Sequence, residues 1–134
     1  MKQFEATPRV VGQVRGFIGA ALADWDLQEM ADDARLYATE LVTNVILHSA
    51  PQADGSKTVD VLIDRRRSGE VTIMIRDMDA RLPVPQLTTP APHQESGRGL
   101  HLVSALADSL WVRSTPTGKT IGCRFDLQRY GVTS

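Results

Sequence analysis

Glu40-Leu41-Val42-Thr43-Asn44-Val45-Ile46-Leu47-His48-Ser49 is the stretch on which the fold turns. Glu40, Asn44 and His48 recur in steps of four, which stacks three polar side chains along one stripe of a helix, while Leu41, Val42, Val45, Ile46 and Leu47 cover much of the remaining surface. A helix this apolar is mostly buried. A carboxylate, an amide and an imidazole on it must find partners, face a cleft, or cost on the order of several kcal/mol in lost solvation. The pattern predicts a long core helix from about Gln28 to Ser49 with a polar pocket on one side. The plainer alternative is a surface carboxylate with a basic partner, a satisfied core amide and a histidine at the helix C-terminus, where the dipole favours it.

Working outward, Glu29, Asp32 and Asp33 place negative charge in the first turns of that helix, and Pro51 ends it. Upstream, Thr7-Pro8 reads as a capped helix start, and Val10, Val11, Val14, Phe17, Ile18, Ala21 and Leu22 recur at helical spacing. Downstream, Val59, Val61 and Ile63 alternate with polar residues, Arg66 to Gly69 form a turn, and Val71, Ile73 and Ile75 alternate again. This is a hairpin. Leu82 to Ser96 carries Pro83, Pro85, Pro90 and Pro92 without periodicity and reads as a lid. A helical pattern follows from Gly97 to Asp108, then a second hairpin, Leu110 to Ser114 and Thr120 to Leu127, around Pro116-Thr117-Gly118. Residues 2 to 6 suggest an edge strand, and the tail from Arg129 reads as loose. The order helix, helix, hairpin, loop, helix, hairpin predicts an α+β two-layer sandwich, a mostly antiparallel sheet with helices on one face.

The bulk numbers bound the function. With 134 residues the chain fits a single domain, 1–134. Its 15 basic and 16 acidic residues leave no net field for nucleic acid or an anionic membrane. Arg65-Arg66-Arg67 is the one basic run, and a solvated turn explains it. A single cysteine, Cys123, rules out an intrachain disulfide framework and a cysteine-rich zinc site. With no apolar leader and no run approaching the roughly 18 residues of a membrane span, the expectation is a soluble, unprocessed cytoplasmic protein.

Three further clusters sit near element ends: Asp77-Met78-Asp79-Ala80-Arg81 after a strand, Gly97-Arg98-Gly99-Leu100 opening a helix, and Gly118-Lys119-Thr120 entering the last strand. Each has an ordinary explanation alone. The aspartates could terminate a strand with Arg81 as an ionic partner, the Gly-x-Gly could be a turn, and Thr120 could be a strand residue. Equally, exposed backbone N–H groups at a helix start suit a phosphate.

Taken in order, the four clusters closely resemble the ATP-binding domain shared by gyrase-type ATPases, MutL and histidine kinases, the GHKL or Bergerat fold. The wording Glu40 to Ser49, Arg76-Asp77-x-Asp79-x-Arg81-Leu82-Pro83, Ser96-Gly97-Arg98-Gly99-Leu100 and Gly118-Lys119-Thr120 resembles the small RsbW/SpoIIAB-like anti-sigma factors and serine kinases of actinobacterial type, over about residues 7 to 127. The resemblance implies ATP and Mg²⁺ as cofactors. It implies Asn44 as the Mg²⁺ ligand, Glu40 as the catalytic group that orients or deprotonates the attacking hydroxyl, and Asp77 as acceptor for the adenine amino group, supported by Thr120. Gly97 and Gly99 would approach the phosphates, with Arg98 or Arg81 near them, and residues 82 to 96 would be the ATP lid. His48 would be positional.

Two departures from the family pattern stand out. Asp79 and Arg81 stand where many members have glycine, and Glu95 stands where the sporulation-type members have a phosphate-reaching arginine. The implied function is an anti-sigma factor that phosphorylates a serine or threonine on a STAS-type anti-anti-sigma protein. The alternative is a non-catalytic partner-switch module with weak or no nucleotide turnover. The implied partners are a sigma factor, the STAS protein and possible self-association as a homodimer. A histidine-kinase catalytic fragment ranks below these, since no phosphoacceptor helix precedes the domain in this sequence, and direct DNA binding ranks last.

Overall fold

In the computed structural model, which describes residues 1–67, 69–79 and 108–131 with the side chains of 48, 66, 67 and 115 excepted, the alternating runs form five strands. These are β1 (Lys2–Glu5), β2 (Thr58–Arg67), β3 (Glu70–Asp77), β4 (Ser109–Thr115) and β5 (Gly118–Asp126). They make one antiparallel sheet in the order β1-β2-β3-β5-β4. Among the described residues two helices, α1 (Val10–Asp24) and α2 (Ala31–His48), supply the second layer. The expected α+β sandwich is the one observed. The lid at 82–96, the helix after Gly97, and Gly97, Arg98, Gly99, Arg81 and Glu95 lie outside the described residues.

Alternation decides which face is covered. Val59 and Val61 on β2, Val71, Ile73 and Ile75 on β3, and Ile121, Cys123 and Phe125 on β5 share one face and are buried. Against them α1 presents Val10, Val14, Ile18 and Leu22, one residue per turn, and α2 presents Ala34, Tyr37, Ala38, Leu41, Val42 and Val45. Phe4 of β1 closes one edge, packing edge-to-face on Phe17 with ring centroids 5.9 Å apart. Tyr37 is the polar exception at the centre. Its hydroxyl lies 2.8 Å from the Ile121 carbonyl oxygen and 3.2 Å from that of Ile73, which ties α2 to β3 and β5. Burial pushes both its phenol and the neighbouring Cys123 thiol well up, so both are held neutral.

Element ends differ from expectation in three places, each with a local cause. Thr7-Pro8 does not cap α1. Residues 7–9 form a separate turn, with the Val10 N–H on the Thr7 carbonyl at 2.9 Å, because the chain must first leave the β1 edge, where the Ala6 N–H is held by the Lys57 carbonyl at 2.7 Å. Gln28–Met30 is a 3₁₀ turn rather than the start of α2, entered through Asp26 at φ +57°, a left-handed conformation that aspartate tolerates better than most residues. Arg129 and Tyr130, expected to be loose, are tied down: the Tyr130 hydroxyl donates to Asp33 at 2.6 Å, and Arg129 reaches Asp108 at 3.4 Å. Among the described residues no helix is long and apolar enough to cross a membrane.

Candidate functional site

α2 carries Glu40 and Asn44 on its flank rather than its core side. Each step of four residues advances about 40° around a helix, so the stripe winds from Glu40 through Asn44 toward the buried face as the helix nears its end. Both residues are half-buried, and among the described residues neither has a hydrogen-bond partner. His48 closes the helix, and its side chain is outside the description. A half-buried carboxylate and amide thus stand one turn apart on the helix flank with no protein hydrogen-bond partner among the described residues.

Beyond His48 the chain turns extended at Ser49 and meets the end of β3. The Ser49 hydroxyl donates to Asp77 Oδ2, and the Ala50 N–H donates to Asp79 Oδ2 at 2.6 Å. The Lys57 ammonium caps the helix by donating to the Ile46 carbonyl at 3.0 Å. Both aspartates of the Asp-x-Asp sequence therefore anchor the exit of α2. Asp77 is further loaded. Its Oδ1 accepts the Asp79 N–H at 3.0 Å, and its Oδ2 pairs with the Lys119 ammonium at 2.7 Å. Lys119 also donates to the Asp79 carbonyl at 3.0 Å. These are buried groups, with Asp77, Asp79 and Lys119 at 5%, 6% and 6% exposure.

The sheet register separates the predicted residues. Asp77 lies directly opposite Lys119, and Arg76 opposite Thr120, so Asp77 and Lys119 share the helix-covered face while Thr120 lies on the other. The register thus puts Lys119, rather than Thr120, beside Asp77 on the covered face. Gly118 has a clear reason in the same geometry, since a Cβ there would run into the Asp77 carbonyl oxygen and sit 3.2 Å from the Met78 Cα. The structure brings Ser49, Asp77, Asp79 and Lys119 into one network and sets Glu40 and Asn44 along the helix leading to it. Ser49, Asp79 and Lys119 were not among the expected site residues. The signal for Lys119 was available: it shares the parity of Ile121, Cys123 and Phe125, and Thr120 does not.

The donor set allows some ligands and not others. Asn44 offers an amide oxygen, a hard donor suited to Mg²⁺ that keeps its remaining positions for water and phosphate oxygens. Asp77 offers a carboxylate suited to an amino group on a base, though one already ion-paired. Among the described residues no group of three or more His, Cys, Asp or Glu side chains could hold a metal ion. Asn44 thus has the donor chemistry that Mg²⁺ would take, while the ion-paired Asp77 fits a bare adenine acceptor less well.

Comparison with solved structures places the fold among histidine kinases. The chain is similar to the histidine kinase domain of the Erythrobacter litoralis EL346 blue-light activated histidine kinase, at 17% identity and TM-score 0.62, covering 90% of this chain and 66% of that one. It is similar to the Erythrobacter litoralis EL346 blue-light activated histidine kinase in a second structure, at 18% identity and TM-score 0.59, covering 89% of this chain and 42% of that one. It is similar to the mycobacterial sensor histidine kinase MprB at 14% identity and TM-score 0.51, covering 72% of this chain and 71% of that one. The chain thus spans from under half to about seven-tenths of these structures, and identities this low speak for the fold alone. Comparison with curated proteins finds no match. The sequence matches the histidine kinase-like ATPase domain over residues 4–125, nearly its whole length, and the chain belongs to that family of ATP-binding domains.

Proposed function

We propose that the chain is an ATP-binding regulatory protein of RsbW type, an anti-sigma factor that transfers phosphate from Mg·ATP to a serine or threonine of a STAS-type anti-anti-sigma partner. The observation that carries this reading is the Glu40 and Asn44 pair, half-buried, one turn apart and without hydrogen-bond partners among the described residues. The Asn44 amide oxygen would hold Mg²⁺ against the phosphates, and the Glu40 carboxylate would accept the proton of the attacking hydroxyl. ATP supplies the phosphoryl group: its bond to the bridging oxygen breaks, a bond to the partner's hydroxyl oxygen forms, and ADP leaves. Incubation with labelled ATP, Mg²⁺ and candidate STAS proteins tests this. Glu40→Ala should abolish transfer while ATP binding persists; unchanged transfer removes the role given to Glu40.

A second reading is a partner-switch module that binds its sigma factor and STAS partners with weak or no nucleotide turnover. A specific observation favours it: the carboxylate expected to receive adenine is already paired with Lys119 at 2.7 Å, and Lys119 is held there by the Asp79 carbonyl. No calorimetric heat and no shift in melting temperature with millimolar Mg·ATP would select this reading.

A further inference from the structure

Resting on the ATP-site reading, the geometry points to Lys119 as a selectivity-determining residue: its ammonium competes with a purine 6-amino group for Asp77, weakening adenine recognition and admitting 6-oxo purines. A carboxylate has about four acceptor sites. In Asp77 three are taken, by the Asp79 N–H, the Ser49 hydroxyl and the Lys119 ammonium. An amino group arriving at Asp77 finds a single open site on a carboxylate whose charge is matched, or it must displace an ammonium. Either way a neutral donor gains less than it would from a bare carboxylate, because charge-assisted hydrogen bonds are the stronger ones.

Lys119 itself has three N–H donors, of which Asp77 and the Asp79 carbonyl use two. The third can donate to a 6-oxo group, which an isolated carboxylate would repel. Lys119 cannot retreat to solvent without breaking both contacts, since β5 fixes its backbone directly opposite Asp77 and its side chain is 6% exposed. Discrimination between 6-amino and 6-oxo purines is therefore compressed from both sides.

The test is titration of Mg²⁺ with ATP and with inosine triphosphate into wild type, Lys119→Met, Lys119→Gln and Lys119→Arg, each checked for fold by circular dichroism. Wild type should bind the two nucleotides within roughly threefold of each other, the difference one weak neutral hydrogen bond makes. Lys119→Met should bind ATP roughly five- to tenfold tighter and inosine triphosphate more weakly, as a bare carboxylate accepts the amino group and rejects the oxo group. Lys119→Arg should keep the wild-type ratio, and Lys119→Gln, which retains a donor without the charge, should fall between. Should Lys119→Met fail to fold, the Gln and Arg variants and the wild-type ratio still decide. A wild type that prefers ATP by roughly a hundredfold, or variants that shift both nucleotides equally, would overturn the role of Lys119 and leave the ATP site standing. Absence of binding of either nucleotide by wild type and all variants would overturn the ATP-site reading and this inference with it.

Discussion

Two polar clusters lie along one helix and its exit, and they are in opposite states. Around Asp77 every oxygen has a donor and the charge is matched by Lys119. Along α2, Glu40 and Asn44 have none among the described residues. Buried polar groups cost stability unless partnered, and the partners around Asp77 meet that cost. The first cluster fastens the end of α2 to the end of β3. The second is where the proposed function puts the phosphate end of the nucleotide. Asp77 therefore has a structural role whatever it binds, whereas no protein contact of that kind involves Glu40 or Asn44 among the described residues.

The largest effect is expected at Asp77. Replacement by alanine leaves the Lys119 ammonium buried without its counter-charge and should cost about 3–5 kcal/mol, read as a lower denaturation midpoint. A loss below about 1 kcal/mol would mean that the pair behaves as a surface ion pair and the clusters are not opposites. Ser49→Ala sharpens the point, because it removes one donor and leaves the ion pair intact. It should cost about 1.5 kcal/mol, the lower end for a hydrogen bond to a charged group.

Glu40→Ala and Asn44→Ala should sit on the other side, changing stability by no more than about 0.5 kcal/mol, since no partner is lost and alanine is the best helix former. Their cost should appear in function instead: Asn44→Ala should weaken Mg·ATP binding at least roughly tenfold, one lost charged contact. A large loss of stability in either variant would reveal a structural role.

The contact between Tyr130 and Asp33, outside both clusters, provides the smallest effect. Burial, then the hydrogen bond to Asp33, raise the Tyr130 phenol to about 12. Its folded value lies above the unfolded value near 10, so its contribution is full below about pH 10 and is lost as pH rises through about 12. Tyr130→Phe should flatten part of the fall in stability over that window, leaving the share that buried Tyr37 contributes. An unchanged slope would remove the tail clamp from the comparison.

Much of the fold was legible because it rests on periodicity. Val59 and Val61, and Val71, Ile73 and Ile75, alternate as a half-buried sheet must, and Val10, Val14, Ile18 and Leu22 recur by turns. Helix starts were less legible. Thr7-Pro8 has cap chemistry, yet the start at Val10 depends on where β1 docks against Lys57, a contact between distant residues. Ser49 and Asp79 joined the site for the same reason: only pairing between α2's exit and β3 brings them together. Lys119 is a different lesson. Its parity was readable from Ile121, Cys123 and Phe125, but the motif drew attention to Thr120, and a motif does not carry the pleat.

If Glu40 and Asn44 on α2 are the ligand end of an ATP site, nucleotide binding must depend on Asn44. Calorimetric titration of Mg·ATP into wild type and Asn44→Ala, with melting temperatures measured in parallel, tests it most directly. Saturable binding by wild type, weakened at least roughly tenfold in a variant of unchanged melting temperature, is the expected result. Equal binding by the two proteins, or no binding by wild type, would contradict it.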